Sequence, residues 1–192
     1  MTNFTILIFA YLLGSIPTAL LISKNFFNID IREHGSKNIG ATNTLRVLGF
    51  TPSIFVLAFD ILKSFIPVYF SYNYLHDPSL AVLAAIATIL GHVFSIFLNF
   101  KGGKGVATIL GACCGIWPHF IIIYLSIFFC ILLLSKYVSL SSILTIILFS
   151  IALFIETNFL PYKFFSIFIS TLILFTHRHN IQRIIKGTER KI

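Results

Sequence analysis

Apolar runs about as long as a membrane-spanning helix alternate along the chain with short polar stretches. Five of them, at 3 to 23, 51 to 72, 79 to 100, 140 to 157 and 161 to 176, reach or approach the roughly twenty residues that a spanning helix needs. The stretch from Gly105 to Ser135 is also apolar. As one straight helix it would be about 46 Å long at 1.5 Å per residue, well beyond a hydrocarbon core of about 30 Å. Trp117-Pro118 offers a break, because proline disfavours helix in the residue before it and lacks the N–H that would continue the ladder. Segments at 105 to 117 and 118 to 135 then bring the count to seven. The pattern predicts an all-α, polytopic membrane protein of seven transmembrane helices, with residues 1–192 forming a single membrane-embedded domain.

Composition agrees with lipid as the main solvent. Hydrophobic residues make up 57% of the chain and charged residues 10%, against about 25% charged in soluble domains. The net charge of +8 would suggest nucleic acid in a soluble protein. Here it is spread over short loops between apolar segments and reads as topology, since loops rich in Lys and Arg stay in the cytoplasm. Seven spans with the N-terminus outside and the C-terminus cytosolic put Lys24, Arg32, Lys37, Arg46, Lys101, Lys104, Lys136, Arg178, Arg183, Lys186, Arg190 and Lys191 inside. Lys163 falls outside and Lys63 lies within a span. Six spans would force one or more of these basic loops outward. No Lys or Arg precedes the first apolar segment and no cleavage signal follows it cleanly, so it reads as a retained span. Cys113, Cys114 and Cys130 sit in apolar runs without metal-ligand spacing and are expected to be small core residues.

The outer connections are short, so function is expected to face the cytosol, where three polar clusters fall. The loop from Lys24 to Phe50 holds Gly35, Ser36, Lys37, Asn38, Ile39, Gly40, Ala41, Thr42, Asn43 and then Arg46 and Gly49. Small residues let backbone N–H groups converge on an anion, and Asn, Ser and Thr add neutral donors. A short helix from Thr42 or Asn43 to Gly49 would place Arg46 beside them. The plainer alternative is a flexible turn. In the second cluster, Gly91-His92 and Phe94, Phe97 and Phe100 lead into Lys101-Gly102-Gly103-Lys104-Gly105. Glycines opening a helix offer unpaired N–H groups and partial positive charge to phosphate. A cationic turn on lipid head groups is the alternative. The third, His177, Arg178, His179, Asn180, Arg183, Gly187, Thr188 and Glu189, would set His177, Asn180 and Arg183 on one helical face, or would simply be a basic tail. Asp60 and Lys63, three apart, are expected to pair within a span for structure. Ser142 stands at the entry of the sixth segment, where it can meet a ligand or a carbonyl one turn back.

Together these stretches resemble the bacterial acyl-phosphate:glycerol-3-phosphate acyltransferase family nearly end to end. The likeness rests on Gly14-Ser15-Ile16-Pro17, on Gly35-Ser36-x-Asn38-x-Gly40-Ala41-Thr42-Asn43-x-x-Arg46, on Gly91-His92 to Thr108, and on His177-Arg178-x-Asn180 to Gly187-Thr188-Glu189. It implies a seven-helix membrane fold, transfer of a fatty acyl group from acyl phosphate to sn-glycerol 3-phosphate giving lysophosphatidic acid, and no cofactor or metal. It assigns Asn38, Gly40, Thr42, Gly103 and Lys104 to acyl phosphate. Ser36, Arg46, Lys104, Ser142, His177 and Asn180 go to glycerol 3-phosphate, with Lys104, His177 and Asn180 as catalytic residues. It places the enzyme in the bacterial cell (inner) membrane with a cytosolic active site. Beyond the two substrates and membrane lipid, it leaves room for the soluble enzyme that makes acyl phosphate from acyl carrier protein as a partner. Lys37 and Ser64 depart from the family, which commonly has glycine at both. The general base stays open between His177, His92 and a substrate oxygen. No His-x-x-x-x-Asp pair is present, since Phe97 stands five after His92. An organic-phosphate carrier, a metal-dependent lipid phosphotransferase and a membrane scaffold are the rival classes.

Overall fold

The computed structural model describes residues 2–192, and among these the regular structure is entirely helical. Ten α-helices occur in two compact units, Met1–Ile116 and Trp117–Ile192. The first unit contains α1 (Thr2–Ser15), α2 (Thr18–Phe27), α3 (Ala41–Leu48), α4 (Phe50–Tyr69), α5 (Pro78–Val93) and α6 (Val106–Ile116). The second contains α7 (Ile121–Ser135), α8 (Val138–Glu156), α9 (Leu160–Thr176) and α10 (Arg178–Ile185).

In the first unit α1 packs on α5, and α4 on α5 and α6. Small residues bring the helix backbones close. A side chain at Gly14 would collide with the backbone of Thr88, and one at Gly91 with the backbone of Tyr11, so α1 and α5 meet glycine to backbone in both directions. Helix α5 begins cleanly because the Asp77 carboxylate accepts the Leu80 N–H at 2.9 Å and Pro78 fills the first helical position, where a missing N–H costs nothing. Ile31, Ile39, Ala19, Leu20, Val56 and Leu98 form a buried cluster beneath the loop that joins α2 to α3. In the second unit α8 packs against both α7 and α9. Trp117 packs edge-on to Tyr162, with ring centroids 4.6 Å apart.

Several apolar segments differ from straight spans. The first is broken at Ile16-Pro17, with α1 and α2 bent by 42°, because Pro17 disfavours helix at the preceding residue. The last is bent by 59° between α9 and α10. The predicted break at Trp117-Pro118 is present: α6 ends at Ile116 and a single 3₁₀ turn, Pro118–Phe120, leads into α7. At 11 residues, α6 is about 16 Å long, short of the hydrocarbon thickness. Among the described residues, four helices are long and apolar enough to cross a membrane, or up to six if each bent pair counts as one. Cys113 is buried as expected, but Cys130 is exposed on α7, a helix that turns most of its apolar surface outward.

Candidate active site

The α2–α3 loop is folded around Asn43. Its side-chain oxygen accepts the Ser36 N–H at 2.7 Å, and its amide group donates to the carbonyls of Ile31 and His34 at 3.2 and 3.1 Å. Asn43 is buried, so this residue organises the loop while Ser36 stays on its exposed side. Gly40 caps α3, its carbonyl accepting from the N–H groups of Asn43 and Thr44. That puts Thr42 in the first turn of α3 and Arg46 in the last, with Asn38 directly beside Gly40. The helix starts at Ala41, just ahead of the predicted Thr42 or Asn43. The Asp30 carboxylate binds Arg32 at 2.6 Å and Lys24 at 3.2 Å. Hydrogen bonds from Arg32 hold its carboxyl well below the usual range, which leaves both cations committed to the loop. Gly35 and Lys37 both adopt positive φ, 60° and 62°. At Lys37 this is a left-handed conformation that glycine takes without strain.

The turn between α5 and α6 differs from the open glycine nest that the sequence suggested. The Gly102 and Gly103 N–H groups donate to the Val93 and His92 carbonyls at 2.9 and 3.0 Å, closing the end of α5. They are therefore not donors for phosphate. What Gly103 contributes is space, since a Cβ there would collide with the His92 ring. Lys104 follows, half-buried, and Gly105 turns at φ 89° into α6, where its carbonyl accepts the Thr108 hydroxyl at 2.9 Å.

Directly below lies a buried ionic cluster. Lys63 Nζ contacts Asp60 Oδ1 at 2.7 Å, His92 Nδ1 at 2.9 Å and the Ile16 carbonyl at 3.2 Å. An ammonium has three donors, and each has an acceptor. The Ile16 carbonyl lies at the Pro17 break, where it also accepts the Thr18 N–H at 3.0 Å. Thr18 also donates to Asp60, at 3.2 Å. The Asp60–Lys63 pairing follows from their spacing; the participation of His92 was not legible, because 29 residues separate it from Lys63.

In the second unit the three remaining candidates lie near the ends of α8 and α9. The Ser142 hydroxyl donates to the Val138 carbonyl at 2.8 Å, which leaves its oxygen to act as an acceptor. His177 sits at the α9–α10 bend, with Nδ1 3.1 Å from the Ile173 carbonyl. A carbonyl can only accept, so Nδ1 carries the proton and the neutral ring has its lone pair on Nε2. Asn180 and Arg183 share a face of α10 as predicted, and both donate to Glu189, each at 2.6 Å. Ser139 completes the set at 2.7 Å. Glu189 is thus the residue that fixes the Asn180 amide. The sequence placed it in the third cluster without a role, because a tail residue nine positions away carries no periodic signal. Burial pushes its carboxyl up, but the hydrogen bonds from Ser139, Asn180 and Arg183 outweigh that and hold it below its ordinary value.

Residues 4–187 match the family described as glycerol-3-phosphate acyltransferase. The chain belongs to that family. It is 48% identical over 190 residues to the glycerol-3-phosphate acyltransferase of Macrococcus caseolyticus, covering 97% of this chain and 95% of the relative. The corresponding protein of Fusobacterium nucleatum is 42% identical, covering 100% and 98%. Among solved structures, PlsY (YgiH), an integral membrane glycerol 3-phosphate acyltransferase crystallised in a glycerol 3-phosphate form, superposes with a TM-score of 0.95 at 37% identity, covering 100% of this chain and 96% of that one. A lysophosphatidic acid form of the same protein gives 0.91. This glycerol-3-phosphate acyltransferase is accordingly a multi-pass integral membrane enzyme that makes lysophosphatidic acid.

Proposed function

We propose that the donor is an acyl phosphate and that the acyl group moves directly to the primary hydroxyl of sn-glycerol 3-phosphate. The new ester bond forms as the acyl–phosphate bond breaks, inorganic phosphate leaves, and the hydroxyl proton goes to a base. Acyl phosphate is already activated, so the protein's work is to hold the reactants together and offset the repulsion between two anions. Asn38, Gly40, Thr42 and Gly103 serve the acyl phosphate, with Gly103 acting through the space it leaves. Ser36, Arg46, Ser142, His177 and Asn180 serve glycerol 3-phosphate, and Lys104 serves both. Catalysis falls to Lys104, His177 and Asn180. His177, placed at the α9–α10 bend with Nδ1 on the Ile173 carbonyl, takes the hydroxyl proton in this reading.

The observation that carries this reading is the family match over 4–187 in a chain that keeps the motif residues in all three polar clusters. The whole chain, 1–192, acts as one acyltransferase domain. The distribution of basic residues supports seven crossings with the N-terminus outside, the C-terminus cytosolic and the active site on the cytosolic face of a bacterial cell membrane. Membrane lipid surrounds it, and a soluble enzyme that makes acyl phosphate from acyl carrier protein supplies the donor.

Purified enzyme in detergent, given glycerol 3-phosphate with either palmitoyl phosphate or palmitoyl-CoA, separates the donors. Lysophosphatidic acid is expected from palmitoyl phosphate alone and not from the Lys104→Ala variant. Equal yield from palmitoyl-CoA would overturn the donor assignment.

A further inference from the structure

His92 is 6% exposed, and its two ring nitrogens face different surroundings. Nδ1 is 2.9 Å from Lys63 Nζ. The ammonium can only donate, so Nδ1 accepts and the proton of the neutral ring is on Nε2. Asp60, 2.7 Å from Lys63 Nζ, keeps that ammonium in place, as does the Ile16 carbonyl. The opposite edge of the ring lies against Gly103, where a Cβ would meet Nε2 first. Nε2 is thus a proton-bearing nitrogen at the Gly102–Gly105 turn ahead of α6. Among the described residues, the polar partners of His92 are Lys63 and Asp60, both on the Nδ1 side.

Nε2 is not among the fully buried unpartnered atoms, so this edge of the ring stays open to the turn, where its N–H can meet a ligand acceptor. The N-terminal end of an eleven-residue helix beside it favours an anion, and Lys104 stands in the same turn. Because the Gly102 and Gly103 N–H groups are spent on the end of α5, the donors this turn can offer a phosphate are the first N–H groups of α6, Lys104 and the His92 Nε2–H.

We propose that His92 donates its Nε2–H to a phosphoryl oxygen of the acyl phosphate, with Lys63 and Asp60 fixing the tautomer that makes this possible. This rests on the acyl phosphate reading given above. It also removes His92 from the candidates for general base, since Nε2 already carries a proton and Nδ1 is occupied. The glycine at 103 is then required so that the imidazole can reach the turn.

The test is His92→Asn and His92→Phe, each assayed with both substrates varied. The expected result is a rise of about ten- to hundredfold in KM for palmitoyl phosphate, the range for one hydrogen bond to a charged group, with KM for glycerol 3-phosphate within twofold of wild type. An equal rise for both substrates, or a loss confined to kcat, would overturn it. A second measurement works on wild-type enzyme and so is indifferent to misfolded variants. In 15N-histidine-labelled protein the His92 Nε2 resonance should move on adding a non-transferable palmitoyl phosphonate and stay put with glycerol 3-phosphate alone. No movement at saturating phosphonate would also overturn it. If wild-type enzyme makes no product from palmitoyl phosphate, the donor assignment fails instead, which keeps the two outcomes apart.

Discussion

Lys37 holds a left-handed backbone, φ 62°, two residues after Gly35 does the same. For a residue with a Cβ that conformation costs about 1–2 kcal/mol, part of which glycine would return as extra freedom in the unfolded chain. Lys37→Gly should therefore raise stability by about 1 kcal/mol, read as a higher melting temperature in detergent. A lower one would mean that the lysine side chain holds something in place. Ser64, the other departure from the family, is fully buried, and its hydroxyl has no hydrogen-bond partner; nothing in the structure explains it. At this scale the sequence was legible where chemistry and spacing coincide. Asp60 and Lys63 are one turn apart and pair as expected. The opposite tautomers of His92 and His177 were not legible, because each depends on which group the fold sets against Nδ1: a lysine for one, a backbone carbonyl for the other.

Helix boundaries follow local rules closely. Pro17 breaks the first segment, Asp77-Pro78 starts α5, Trp117-Pro118 separates α6 from α7, and Gly49 ends α3. What hydropathy could not give is where each chain end goes after its helix stops. The Gly102-Gly103 pair was readable as a phosphate nest from composition, yet its N–H groups close the end of α5. Similarly, the polar tail after α10 folds back so that the Ile192 N–H reaches the Lys136 carbonyl at 3.0 Å and Glu189 gathers Ser139 from α8 with Asn180 and Arg183 from α10. Because the folded carboxyl of Glu189 lies below its ordinary value near 4.5, the clamp is fully present above that value and is lost as pH falls through the lower, folded one. Glu189→Gln replaces one acceptor oxygen with an amide facing donors. At pH 7 it should speed hydrogen exchange in residues 183–192 by about tenfold, an effect that wild-type enzyme shows only well below pH 4.5 after correction for intrinsic rates. Unchanged protection in the variant would show that the tail is held by other contacts.

For the molecule as a whole, apolar content alone identified an all-helical membrane protein, and the order of three polar clusters identified the reaction family. The number of crossings is harder to read, because α6 is shorter than a bilayer and two apolar stretches are bent pairs. Length and hydropathy accept four to six spans, whereas basic-residue distribution favours seven. Both views leave the proposed reaction unchanged, in which acyl phosphate acylates glycerol 3-phosphate directly, without a covalent enzyme intermediate. The most direct test is to count inorganic phosphate against lysophosphatidic acid in a rapid-quench time course with palmitoyl phosphate. Direct transfer predicts one phosphate per lysophosphatidic acid from the first turnover, and no release above the enzyme-free rate when glycerol 3-phosphate is withheld. A burst of phosphate without the acceptor, about one per enzyme, would reveal an acyl-enzyme and contradict the account.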